Sequence, residues 1–204
     1  MPSENDDNHI FFWQVKQPWG ELCQWYKAPI ALDDQIFVTN EQFMMYWKAV
    51  IFEDWATADA ILAGSDMHPA VHKKMGRHVS GFSDALWDKY KVDIVNTATL
   101  LKFTQNPKLK ELLLSTGDKI IVEASPFDQI WGIGYTKEMA LDNAQNWGQN
   151  LLGKAIMWAR TEIAAGRAED AIPRAFADIQ LRNRMSRTAP ASNDGPKRSS
   201  LRID

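Results

Sequence analysis

The stretch FVTNEQFMMYWKA, residues 37–49, carries a carboxylate and an amine in a pattern that chemistry can use. Glu41 and Lys48 are seven residues apart, which on a helix returns them to nearly the same face two turns on. Met44 and Met45 lie along or beside that stripe. An acid and a lysine flanking apolar side chains can make a partly desolvated, reactive pocket wall. A solvated acid near a helix start and a surface lysine have the same spacing, and that is the commoner meaning of the pattern alone, because both residue types are mostly exposed.

A second cluster is IIVEASPFDQIWGIG, residues 120–134. A strand leaves the core, turns at Pro126 and presents Asp128 just before Trp131, Gly132 and Gly134. Glycine lets backbone approach a ligand closely, and an aromatic ring beside an acid suits a sugar or a base. An ordinary turn with a packed tryptophan is an equal alternative. The Gly-x-Gly lacks the third glycine of a dinucleotide fingerprint. A third group, Lys73 and Lys74 before Met75-Gly76-Arg77, offers an arginine for bidentate phosphate recognition, or else a solvated basic turn. Trp87, beside Asp88, reads first as core and second as a stacking platform. His68 and His72 share a helical spacing but have neither an HExxH pattern nor a nearby third ligand, so no metal is expected.

Certain elements must position these groups. Ile10–Val15 and Ile30–Val38 read as short strands or extended segments, separated by a turn at Pro18-Trp19-Gly20. Thr39 to Gln42 fits a capping box, with Thr39 as cap and Gln42 reaching back, and opens a helix to about Ile51. A further helix ends near Gly64. Pro69 suits a first helical position, and Gly76 is expected to stop that short helix. The stripe Leu86, Tyr90, Ile94, Ala98, Leu101 extends a long helix from Ser83. Asn106-Pro107 opens another, closed by Gly117. Lys119–Ala124 reads as a buried strand and Gly148–Ala165 as a final amphipathic helix.

The chain of 204 residues, 45% hydrophobic and 24% charged, matches one globular domain able to bury its own core. Cys23 is the single cysteine, which excludes an internal disulfide and a cysteine-rich metal site and points to a reducing compartment. The acidic start MPSENDDNH is unlike a secretory signal, and no apolar run nears the roughly 20 residues that span a bilayer. A cytoplasmic or nuclear protein without a membrane partner is expected. The net charge of −3 does not point to a general polyanion binder, although five basic residues against two acidic ones from Asn183 to Asp204 make a basic tail that could touch nucleic acid. Nine tryptophans are many for a chain of this size; most are expected in the core, and a planar ligand also needs such faces to stack on.

The ordered series LCQWY, FVTNEQFMMYWKA, MGR, LWDKYK, LLKFTQNPKLKELLLSTGD, IVEASPFDQIWGIG and NLLGKAIMWAR resembles the NADAR family of N-glycosidases over about residues 10–163. The resemblance implies an α+β fold, a helix-rich single domain with a few short strands of the YbiA-like kind. Residues 10–166 would form the domain, 1–9 a flexible N-terminus, and 167–204 a partly disordered extension. It also implies hydrolysis of a ribose–base N-glycosidic bond without a cofactor. The substrate would be ADP-ribosylated guanine in nucleic acid or a small phosphoribosylamino-pyrimidine intermediate of riboflavin synthesis. A nucleotide- or ADP-ribose-binding module without turnover is the rival.

The family motifs place catalytic groups on Glu41, Lys48 and Asp128, with Trp87, Trp131, Arg77, Gly132 and Gly134 binding substrate. Glu41 and Asp128 would share ribosyl-cation stabilisation and proton transfer, in an order left open. A ring-opened ribose would form a Schiff base with Lys48. The chain departs from the family in having Cys23-Gln24 where serine and asparagine are common, and Gln42 where histidine is common. Gln42 cannot titrate.

Overall fold

The structure is a computed structural model that describes residues 8–172, 176–181 and 183. The first seven residues of the expected flexible N-terminus and the basic tail beyond residue 183 lie outside the described residues.

The aromatic and branched run HIFF forms β1 (His9–Phe12). β2 (Ile30–Leu32) and β3 (Gln35–Phe37) pair antiparallel across a two-residue turn in which Asp33 takes a positive φ of 53°. α1 (Asn40–Ile51) starts where Thr39 accepts the Gln42 N–H at 3.2 Å. The Gln42 side chain reaches one residue further back than a capping box requires, accepting the Val38 N–H at 2.8 Å. Its amide also donates to the Ile61 carbonyl at 2.9 Å, tying α1 to the end of α2 (Trp55–Ala63). Gln42 is thus a fully buried brace between two helices.

α3 (Pro69–Arg77) begins on Pro69 as expected but runs through Gly76. A Cβ on Gly76 would lie 2.0 Å from the Met45 sulfur. The glycine is there so that α3 can press against α1, and it does not end the helix. α4 (Asp84–Gln105) and α5 (Pro107–Ser115) follow the sequence signals closely. β4 (Ile120–Glu123) then pairs parallel with β1, His9 facing Ile120 and Phe12 facing Glu123. A parallel pair needs a crossover, and here it contains everything from β2 to α5. After a short α6 (Lys137–Ala140) and a 3-10 turn at Leu141–Asn146, α7 (Leu151–Ala164) starts three residues later than expected. The Gly148 N–H is engaged by the Ile133 carbonyl, and Asn150 occupies the cap position with φ 50°.

The result is the helix-rich α+β single domain that the sequence implied. α1 packs against α2, α3 and α4, and α7 packs against α4 and β4. All of α1 is buried except Lys48 and Ile51, which marks it as the central helix. The extension contributes to this core, because residues 176–181 are helical and Phe176 is fully buried. Its ring centroid lies 4.9 Å from that of Trp47 and 5.8 Å from that of Phe43. Among the described residues no helix is long and apolar enough to cross a membrane.

Candidate active site

A cavity of about 700 Å³ opens where α1, α3, the start of α4, the turn at residues 23–25 and the loop after β4 meet. Glu41, Lys48, Arg77, Trp87, Asp128 and Trp131 all line it. The volume falls in the range of small-ligand pockets. Gly132 and Gly134 do not reach the cavity. A Cβ on Gly132 would lie 2.7 Å from the Glu123 carbonyl and 3.0 Å from the Asp128 carbonyl, and Gly134 has φ +78°. They let the 125–134 loop fold back onto β4, with N–H donations from Ile133 to Glu123 O and from Gly134 to Ser125 O.

Glu41 lies in the first turn of α1 and is 4% exposed, so its carboxyl is almost wholly desolvated. The Trp25 indole N–H donates to Glu41 Oε2 at 3.1 Å, and Lys73 and Arg77 project from α3 toward it. Burial pushes the Glu41 pKa up, while Lys73, the Trp25 hydrogen bond and Arg77 oppose that push. The Trp25 turn is anchored from behind. Lys102 is 1% exposed and donates to the Cys23 carbonyl at 2.9 Å, and burial lowers its pKa to about 8.

Lys48, two turns along α1 from Glu41, is half-buried. Its Nζ lies 4.1 Å from the Phe82 ring centroid and 5.4 Å from that of Trp87. Burial lowers the Lys48 pKa and Arg77 adds to this, whereas Asp84 opposes it. Across the cavity, Asp128 Oδ1 accepts the Ile130 N–H at 2.9 Å and the Trp131 N–H at 2.8 Å, an Asx turn that sets both the loop and the Trp131 ring. At the mouth, Phe127 is 88% exposed and its ring centroid lies 6.1 Å from that of Trp13.

The same cavity holds a third carboxyl that the spacing arguments passed over. Glu123 closes β4, and its N–H donates to Asn150 Oδ1 at 3.0 Å. Its Oε2 is sealed from solvent and has no hydrogen-bond partner. Burial raises its pKa to about 8, helped by the charges of Asp128 and Glu41 and opposed by Lys73. Glu41, Glu123 and Asp128 thus converge with two α3 cations and Lys48 on one space, an arrangement suited to breaking a bond that develops positive charge on a sugar carbon.

The sequence profile of the NADAR domain matches residues 11–164, most of the chain. The chain belongs to the NADAR family. An N-glycosidase of Acanthamoeba polyphaga mimivirus is 47% identical over 168 residues, covering 76% of this chain and 96% of that protein. An N-glycosidase of Nostoc punctiforme is 33% identical, with 76% and 92% covered. The solution structure of Escherichia coli YbiA superposes with a TM-score of 0.64 at 28% identity, covering 80% of this chain and 89% of that one.

Within this NADAR domain, two cavity-lining residues carried little warning in the sequence. Trp25 was one tryptophan among nine, and its bond to Glu41 spans elements that spacing cannot connect. Glu123 carried a fainter signal, an acid ending an otherwise apolar run, IIVE.

Proposed function

We propose that this NADAR domain cleaves the bond between a ribose anomeric carbon and a base nitrogen in a phosphate-bearing nucleotide. It is a hydrolase of N-glycosyl bonds, the activity for which several of its relatives are named. The observation that carries the reading is the convergence of Glu41, Lys48 and Asp128 on one cavity beside Lys73 and Arg77.

As the base departs, positive charge grows on C1′, and a desolvated carboxylate close by stabilises it. Glu41, held by the Trp25 N–H, fills that role. Lys73 and Arg77 neutralise substrate phosphate, and Trp87 and Trp131 offer rings to the base or ribose. Lys48 supplies a nucleophile. Its amine adds to C1′, the base leaves, and the ribose ring opens to a Schiff base that water then hydrolyses. The two amine protons end on the base and on O4′. A lowered lysine pKa raises the fraction of free amine near neutral pH, so this step speeds up as pH climbs toward that pKa.

Of the two candidate substrates, ADP-ribosylated guanine suits the site better than a phosphoribosylamino-pyrimidine. Phe127, 88% exposed and lining the cavity, offers an apolar ring to the solvated part of a bulky ligand. The purified protein is expected to release free ADP-ribose from ADP-ribosylated guanosine, followed by mass spectrometry, and borohydride added during turnover is expected to fix a ribosyl adduct on Lys48. Ribose phosphate released only from phosphoribosylaminouracil would reassign the substrate. Turnover without any trapped adduct would remove the Schiff base and leave direct attack by water.

A further inference from the structure

Hydrolysis of an N-glycosidic bond to a neutral base needs a proton on the departing nitrogen, since an anionic base is a poor leaving group. Of the three carboxyls lining the cavity, two are already engaged. Asp128 Oδ1 accepts two backbone N–H groups and thereby holds the loop. Glu41 accepts the Trp25 N–H, and although burial raises its pKa, Lys73, that hydrogen bond and Arg77 pull it back toward the carboxylate. Glu123 differs in that it lines the cavity while its Oε2 is sealed from solvent and has no hydrogen-bond partner. A buried, unpartnered carboxyl oxygen costs more charged than neutral, so this seat favours the protonated acid.

Resting on the N-glycosidase reading above, we propose that the Glu123 carboxyl is the acid that protonates the leaving base. The C1′–N bond breaks with its electron pair passing to nitrogen, and the Glu123 proton passes to the same nitrogen. Whichever nucleophile closes on C1′, lysine amine or water, gives up a proton that restores the acid. The surroundings suit the task. Asp128 on the loop and Glu41 on α1 repel a negative charge on Glu123, Lys73 on α3 attracts one, and Cys23 is the remaining titratable neighbour. The carboxyl is therefore protonated below about pH 8 and loses its proton above it. The acid has a rigid seat, because Asn150 Nδ2 donates to the Ile121 carbonyl while its Oδ1 accepts the Glu123 N–H.

The test compares native protein with Glu123→Gln on two ribosides, one with a neutral base and one with a pyridinium base that departs neutral without any proton. Glu123→Gln is expected to lose about 10²–10⁴-fold in kcat on the neutral-base riboside. On the pyridinium riboside it is expected to stay near the native rate. Native kcat on the neutral-base riboside is expected to fall as pH rises through about 8, and the variant's residual rate is expected to lack that limb. Native-like activity of the variant, equal losses on both ribosides, or a surviving alkaline limb would each overturn the assignment. A native-like melting temperature and ligand-induced stabilisation in the variant guard against a folding artefact, and Glu123→Asp provides a second variant that keeps a carboxyl. Failure of the native protein to cleave any riboside would sink the N-glycosidase reading itself, and the acid role with it.

Discussion

Glu41→Gln protein is expected to bind nucleotide and hardly turn it over, with kcat down by about 10²–10⁴-fold and affinity little changed. The amide keeps the shape of the carboxyl, and its oxygen can still accept the Trp25 indole N–H, so the 23–25 turn and the α1 start should be undisturbed. In the proposed mechanism, what disappears is the negative charge facing the ribose when C1′ becomes cationic. A term present mainly in the transition state lowers kcat and spares ground-state binding. Steady-state kinetics alongside ligand-induced shifts in melting temperature separate the two. Unchanged kcat would remove Glu41 from the chemistry. A ligand-stabilised native protein with no turnover of any riboside would instead favour the nucleotide-binding module.

The second large effect concerns stability. Phe176→Ala is expected to cost about 3–5 kcal/mol, because the ring is fully buried between Trp47 and Phe43 and its removal leaves a cavity that α1 cannot fill. For a chain of this size, that corresponds to a melting temperature lower by roughly 10 °C. Truncation before residue 176 is expected to be at least as damaging, although it leaves the matched domain, residues 11–164, intact. Calorimetry on both forms checks this. A loss under about 1 kcal/mol would mean that the extension does not hold its place beside α1.

Much of the architecture was legible because its signals are local. Thr39, Pro69 and Pro107 announce helix starts through side-chain and ring chemistry that operates within one turn. The α4 stripe reports a helix through its period alone. Gly76 misled because glycine that ends a helix and glycine that admits a neighbouring helix are the same letter, and only Met45 on another helix distinguishes them. Glu41 and Lys48 were readable as a pair because one helix carries both. Glu123 was not, because its importance comes from what surrounds it, namely Asp128, Glu41 and Lys73 from three other segments. Phe176 lies beyond the stretch that resembles the family, in a segment whose composition says little about packing.

The parallel pairing of β1 with β4 has a consequence for how the protein reaches its working state. The strand that ends in Phe12 and leads into Trp13 at the cavity meets the strand that ends in Glu123 only after β2 to α5 have been looped out between them. Closing so long a loop is slow compared with forming local helices, because chain entropy opposes it until the pairing is complete. In refolding from denaturant, far-ultraviolet circular dichroism should therefore recover first. Catalytic activity should return in a later phase, together with protection of the Val122 and Ala124 amides on the β1 side from hydrogen exchange. Nascent chains on the ribosome would pass through a helical but inactive stage until β4 emerges, so the three carboxyls are gathered around the cavity only when folding is nearly complete.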